Sequence, residues 1–246
     1  MPDVASRLSL NSALDAPHLA ECFAAHGRLQ ISDFLTHDSA RALRDELAGS
    51  DAWRHLISGA DQVFEIARGD YDAMAAEERQ RIEKAVFEAA AQRFQFQYDA
   101  IRVPDSPAER KKRSTRLVEF ACLMSAPGTR EILQQITGAD DLAFADAQAT
   151  CYRPGDFLLR HDDDVAGKNR RLAYVLGLSD GWQAEWGGLL QFNDDRGGIA
   201  ETLVPHFNAL SLFAVPQPHS VSYVAPFARA HRVSITGWIR SIAPAV

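Results

Sequence analysis

The sequence predicts a mainly β chain with some α, organised as a double-stranded β-helix (jelly roll) core behind an N-terminal helical support layer. Three observations lead there. From Leu142 onward, short apolar or alternating segments follow one another between Pro154-Gly155, Asp180-Gly181, Arg196-Gly197-Gly198 and Pro216-Gln217-Pro218, the pattern of strands joined by turns. Before that point, apolar residues recur mostly at helical spacing. No internal repeat or low-complexity stretch interrupts the chain, so residues 1–140 read as support, residues 141–246 as the core, and the two as one unit.

The N-terminal elements follow from local signals. Pro17 to His26 is a helical window, with Asp15 placed to cap it and Gly27 to stop it. Arg28 to Ser32 suits a strand, and Asp38 begins an amphipathic stretch carrying Leu43 and Leu47 on one face before Gly49. A longer helix is expected from Ala73 to about Tyr98, with Ile82, Val86 and Ala90 at i, i+4 spacing. Val103 to Pro107 reads as a loop, and Arg110-Lys111-Lys112-Arg113 behind it as a solvated surface segment. In the second half, strands are expected over Ala143 to Tyr152, Leu172 to Leu178, Gly188 to Phe192, Ala209 to Val215, Ser220 to Val224 and Arg232 to Ile239, with another running into His161.

At 246 residues and 46% hydrophobic, the chain can bury a sizeable core. A net charge of -7 gives no support for binding along a phosphate backbone, so no direct nucleic-acid contact is expected. Cys22, Cys122 and Cys151 are odd in number and widely spaced, fitting neither a disulfide framework nor a zinc knuckle; a reducing, cytoplasmic setting is the simplest reading. The opening Met1 to Arg7 lacks a basic start followed by an apolar run, and no stretch of about 18 apolar residues occurs, so neither secretion nor membrane association is expected.

The chemistry concentrates in Arg160-His161-Asp162-Asp163-Asp164, with His219 58 residues after His161 in Pro218-His219-Ser220-Val221. In a strand, residues i and i+2 point the same way, so His161 and Asp163 are expected to share a metal while Asp162 turns aside. Two imidazoles and one carboxylate on one face of an octahedral ion leave positions open, the arrangement of non-haem Fe(II) oxygenases. Alone, a His-x-Asp reads first as an acidic surface turn. Its context adds the strands Asn208 to Phe213 and Arg232 to Trp238, which supply the setting for a third ligand and then a cation.

On these segments the sequence resembles the prolyl-hydroxylase branch of the 2-oxoglutarate and Fe(II)-dependent oxygenases. The matching stretches are Cys151-Tyr152-Arg153-Pro154-Gly155-Asp156 through Asp163, Arg170-Arg171-Leu172-Ala173-Tyr174, Leu178 to Trp182, Gly187-Gly188-Leu189-Leu190 and His219 through Trp238, roughly residues 145 to 240. Phe34-Leu35 and Phe94 to Tyr98 are similar, less specifically, to the N-terminal part of the subgroup that hydroxylates a prolyl residue in a small-subunit ribosomal protein. The resemblance implies Fe(II) on His161, Asp163 and His219, with 2-oxoglutarate and O2 as co-substrates and ascorbate a further candidate. It implies that Arg232 holds the distal carboxylate of 2-oxoglutarate, the guanidinium offering a planar two-pronged donor. By the same carry-over, Tyr152 and Thr236 neighbour the co-substrate and Trp238 walls the iron pocket. No catalytic side chain beyond the metal centre is implied. One departure stands out: where relatives often carry a tyrosine just before the residue matching Leu178, this chain has Gly177, and Tyr174 is a candidate to fill that space.

The implied reaction hydroxylates an unactivated C–H bond, most readily on a prolyl residue of a protein or peptide, a ribosomal or translation protein being the class suggested, with succinate and CO2 as co-products. Hydroxylation of a free amino acid or small metabolite, a low-turnover iron and 2-oxoglutarate sensor, and a ligand-free jelly-roll interaction module are the rival readings. Because ligation needs neutral histidines, activity is expected to fall at acid pH. His206 is read as a turn residue and His231 is given no catalytic role. No Gly-x-Ser-x-Gly elbow, Walker loop or dinucleotide fingerprint is present, and Asp162 to Asp164 lack EF-hand spacing.

Overall fold

The computed structural model describes residues 8–242. The opening Met1 to Arg7, read above for a leader, lies outside the described residues.

Local chemistry sets the first elements as expected. Helix α1 (Ala16–His26) is capped by Asp15, whose carboxylate accepts from the His18 N–H at 3.1 Å, and closed by Gly27 at φ 65°. Strand β1 (Arg28–Ile31) and helix α2 (His37–Ala48) follow, the latter burying Leu43 and Leu47. The expected helix from Ala73 to Tyr98 is instead three pieces. Helix α4 (Ala76–Ala90) follows β2 (Arg54–Ser58), β3 (Val63–Ala67) and the short α3 (Arg68–Ala73), and Phe96 onward forms β4 (Phe96–Arg102). The helical period ends where pairing partners take over: Gln97 to Ala100 align with β2, Asp99 to Arg102 with the strand carrying Tyr152, and Phe96 and Gln97 with the strand leading to His161.

After α5 (Pro107–Lys111), α6 (Arg116–Ser125) and α7 (Pro127–Thr137) come β5 (Phe144–Ala145), β6 (Gln148–Tyr152), β7 (Phe157–His161) and β8 (Arg170–Gly177). A 3-10 turn at Ala184–Trp186 leads to β9 (Leu190–Asn193), β10 (Ile199–Leu203), β11 (Leu210–Ala214), β12 (His219–Val221) and β13 (Arg232–Arg240). Strand β10 carried no expectation. The expected surface segment at 110–113 holds for Lys111, Lys112 and Arg113, which are exposed, and is corrected at Arg110, which is buried, donating to the carbonyls of Pro104, Ala121 and Ala145 with its guanidinium over Phe144.

The strands join antiparallel in the order β1-β11-β8-β13-β6-β4-β7-β12-β9-β10, with β2, β3 and β5 attached to the side. The two ends approach each other: Arg28 of β1 pairs with Glu201 of β10, and Gln30 donates to the Val204 carbonyl at 3.0 Å. The result is a nearly closed, jelly-roll-like barrel.

Pleating gives this barrel two faces. Leu172, Tyr174 and Leu176 of β8, Val233, Ile235 and Ile239 of β13 and Ala149 and Cys151 of β6 face outward into a core shared with Phe23, Leu43, Phe120, Met124, Leu133 and Ile136 of the helices. Each such large side chain contributes about 1.5–3 kcal/mol by leaving water. The alternate residues of the same strands turn inward and line a cavity. Among the described residues no helix is long and apolar enough to cross a membrane.

Candidate active site

The inward faces converge on a cavity of about 240 Å³. From β13 come Arg232, Thr236 and Trp238; from β6 Gln148, Thr150 and Tyr152; from β8 Ala173 and Val175; and from β12 and β7 His219, Val221, Leu158 and His161. Phe94 and Phe96 also line it, and Phe94 is 46% exposed with its ring 6.0 Å from that of His161, so it marks the mouth.

His161, Asp163 and His219 are brought together, one ligand atom from each lying within 4.8 Å of the others. His161 Nε2 is 3.4 Å from Asp163 Oδ1, and His219 Nε2 is 3.4 Å from Asp163 Oδ2. The means differ from the pleat argument. In β7 the register slips between Leu158 and His161 against β12, a bulge that turns His161 inward although Phe157 and Leu159 pack outward against α4. Asp163 lies beyond the strand end at φ 64°, a left-handed turn that swings its carboxylate back between the imidazoles. Exposed Asp162 does turn aside, accepting from the Asp164 N–H at 3.1 Å.

Both histidines are oriented by the backbone. His161 Nδ1 lies 3.0 Å from the Leu159 carbonyl and His219 Nδ1 2.8 Å from the Gln217 carbonyl. A carbonyl can only accept, so each Nδ1 carries the proton and each Nε2 keeps its lone pair facing the carboxylate. Burial, reinforced by neighbouring His161, holds His219 down at about 4, in the neutral form that ligation needs. Burial pushes the Asp163 carboxyl up, but its contacts with the His161 and His219 imidazoles outweigh it, and the group sits below its ordinary value. The donor set and its anchoring thus fit a divalent ion with open positions, such as Fe(II).

Across the cavity, Arg232 is 1% exposed. Its Nη1 donates to Ser234 Oγ at 3.3 Å, its guanidinium carbon stands 5.0 Å from the Tyr152 ring centroid, and its buried Nε finds no partner among the described residues. Burial lowers its pKa, yet a guanidinium stays charged, so this cation is built to receive an anion from the cavity. The residues therefore also fit a dicarboxylate held at one end by a metal and at the other by Arg232.

Tyr152 stacks on Tyr98, the ring centroids 5.1 Å apart. Trp238 faces the cavity and carries the Arg170 guanidinium on its ring. Tyr174 is the exception. Although it borders the cavity, its ring packs in the outer core against Phe120, and its hydroxyl donates to the Asp146 carbonyl at 2.6 Å. Strand alternation places it on the helical side, so it does not fill the space left by Gly177. A side chain at 177 has no room in any case, since a Cβ there would lie 2.2 Å from the His206 carbonyl oxygen.

Sequence reasoning passed over Thr150, Ser234, Gln148, Tyr98 and Arg170. Their signal was parity: Thr150 and Gln148 are two and four residues before Tyr152, and Ser234 lies between Arg232 and Thr236. Gly188 was quoted without a role; at φ 63° it lets the Arg232 stem pass, a Cβ there falling 3.0 Å from Arg232 Cδ.

Residues 147–240 match the 2OG-Fe(II) oxygenase superfamily. The prolyl 3-hydroxylases OGFOD1 of Xenopus laevis and Mus musculus are each 34% identical over 116 residues, 44% of this chain and 22% and 21% of theirs. The aligned part is therefore about a fifth of the length of those curated relatives. Among solved structures, a Pseudomonas putida prolyl-4-hydroxylase superposes with TM-score 0.58 at 23% identity, covering 92% of this chain and 98% of that one. A Trichoplax adhaerens prolyl hydroxylase, solved with a hypoxia inducible factor oxygen degradation domain peptide fragment, gives 0.59 at 15% identity, covering 92% and 89%. At such identities these two speak for the fold alone.

Proposed function

We propose that the chain is a prolyl-hydroxylase-like 2OG-Fe(II) oxygenase, the family that its matched segment and its curated relatives support, and that it is a dioxygenase hydroxylating a prolyl residue of a protein or peptide. One observation carries this reading: the backbone-anchored pair His161 and His219 meets the Asp163 carboxylate in the same cavity as a buried arginine whose Nε has no partner among the described residues.

In this proposal His161, Asp163 and His219 hold Fe(II), and Arg232 grips the distal carboxylate of 2-oxoglutarate. Tyr152 and Thr236 neighbour the co-substrate, and Trp238 walls the pocket. Bound there, the metal and 2-oxoglutarate supply the oxidising chemistry, activating O2 with release of succinate and CO2 and hydroxylating an unactivated C–H bond. The chain's own residues do the positioning. The Nδ1 bonds fix which histidine nitrogen is free, Arg232 sets the direction of the dicarboxylate, and Leu158, Val175, Leu190 and Phe213 keep the cavity walls apolar. Phe94, at the mouth, is placed to meet an arriving substrate.

The finer features remain part of the same proposal: residues 1–140 support a catalytic core over 141–246 as one unit, ascorbate serves as accessory reductant, a ribosomal or translation protein is the substrate, and the compartment is cytoplasmic. The test is anaerobic binding of 2-oxoglutarate to the Fe(II)-loaded protein, followed by succinate release with proline-containing peptides. Wild type binds both ligands, His161→Ala loses iron, and Arg232→Ala keeps iron while losing 2-oxoglutarate affinity. A wild type that binds neither removes the oxygenase reading. Succinate formed with free amino acids but not peptides moves the substrate to a small metabolite.

A further inference from the structure

Outside the barrel, α5 and α6 frame a second cavity, of about 580 Å³, that shares no lining residue with the catalytic one. Buried Phe144 and Val118 form its floor, and exposed Lys111, Arg113 and Cys122 stand at its rim. Arg110, 4% exposed, lines its buried side.

The charges around this cavity do not balance. A buried cation ordinarily has an anion against it, because neutral acceptors only partly offset the cost of leaving water. Arg110 donates only to carbonyls, those of Pro104, Ala121 and Ala145, which engage three of the five N–H donors of a guanidinium. The carboxylates whose charge acts on it, Asp105 and Asp146, are both bonded to Arg240. Lys111 and Arg113 have no ion pair among the described residues, whereas Lys112 is paired with Glu109. Glu119, the acid in the lining, is taken by the Leu8 N–H and Arg116. Three cations without a carboxylate therefore gather around one apolar floor, in a chain whose net charge is -7.

We propose that this cavity binds a small organic anion, an apolar body with an anionic head, at a site separate from the iron centre. The head meets Lys111 and Arg113 and offsets the charge of Arg110, while the body covers Phe144 and Val118. A small ligand fits better than a protein face for two reasons. Arg110 is met only by a group that enters the cavity, and the volume is that of a small-molecule pocket. The site needs neither Fe(II) nor 2-oxoglutarate, so its test is independent of the function proposed above.

The test uses the full chain and a matched pair of fluorescent probes, anilinonaphthalene sulfonate and the uncharged phenylnaphthylamine, the same body without the sulfonate. Probe fluorescence reads affinity, and site-resolved mass spectrometry follows alkylation of Cys122, with exposed Cys22 on α1 as the internal control. The sulfonate is expected to bind and to slow alkylation of Cys122 while Cys22 reacts as before. Lys111→Glu combined with Arg113→Glu weakens the sulfonate by about tenfold or more, and Lys111→Arg combined with Arg113→Lys keeps the wild-type affinity. The neutral probe does not distinguish these proteins. Thermal unfolding checks both variants. If the charge-reversed one unfolds early, ionic strength replaces it: added salt weakens the sulfonate on wild type and leaves the neutral probe unchanged. A sulfonate affinity within twofold of wild type after charge reversal overturns the proposal, as does Cys122 alkylation that the sulfonate leaves unchanged. An acidic peptide that shields Cys122 where the sulfonate does not overturns it too, since the rim would then be a protein contact.

Discussion

The Arg170 guanidinium stands 3.6 Å from the centroid of the Trp238 ring while its Nη1 donates to the Asp163 carbonyl at 3.0 Å. Asp163 holds a left-handed conformation that costs a non-glycine residue roughly 1–2 kcal/mol. Arg170, braced on the indole, pins that turn from behind. Arg170→Ala should therefore loosen the carboxylate and lower Fe(II) affinity by about tenfold or more, as loss of a partner behind a metal ligand does. Arg170→Lys, which keeps charge but loses the planar stack, falls between. Anaerobic Fe(II) titration reads this directly, and an unchanged Arg170→Ala affinity would mean the turn holds itself.

Gly188 bears on the other end of the site. A methyl there would meet Arg232 Cδ at 3.0 Å and Val224 Cγ2 at 3.2 Å, on a backbone already at φ 63°. Gly188→Ala should weaken 2-oxoglutarate while leaving iron binding intact. It should also lower the unfolding temperature by about 2–4 °C, the scale of 1 kcal/mol in a chain of this size. Equal loss of both ligands would locate the damage at the metal instead.

These two sites show what the sequence could and could not disclose. His161, Asp163, His219 and Arg232 stand out because of residue type and order, and the structure gathers them around one cavity. The argument from strand pleat reached the first two by a geometry that does not occur, because a bulge and a left-handed turn have no period to read. Tyr174 borders the cavity, as a pocket residue should, but it does not fill the space at Gly177: Leu172, Tyr174 and Leu176 alternate, and the pattern packs the tyrosine ring with its apolar neighbours in the outer core. Strands β2 to β4 stayed hidden because they owe their form to partners far along the chain. Asp99, for instance, pairs with His55 on one side and Cys151 on the other.

The basic run at 110–113 gives a stability test. Arg110 donates to three carbonyls, the shortest at 2.7 Å to Pro104, and lies 4.4 Å from the Phe144 ring centroid. Its removal leaves buried acceptors without donors, so Arg110→Ala should cost about 2–4 kcal/mol in denaturant unfolding. Exposed Lys111, changed to Ala, should stay within about 0.5 kcal/mol. Equal effects would mean that the run acts as a surface patch after all.

Asp99 supplies the pH dependence. Its carboxylate is fully buried and accepts from His55 Nδ1 at 2.9 Å, Arg153 Nε at 2.7 Å and Arg68 Nη1 at 3.2 Å. Burial pushes the carboxyl up, but the hydrogen bonds from His55 and Arg153 and the charge of Arg68 outweigh it, so the folded value lies below the ordinary one. A depressed carboxylate contributes stability that is present above its unfolded value and is lost as pH falls through the folded one. Asp99→Asn should thus cost about 3 kcal/mol near neutrality, leaving three donors around an uncharged amide. Below the usual carboxylate range the wild-type group takes up its proton and comes to resemble the amide. The gap between the two unfolding curves should accordingly narrow with acid, other carboxylates titrating alike in both proteins. A gap that stays constant through that range and below it would assign the Asp99 contribution to shape and hydrogen-bond count, not to charge.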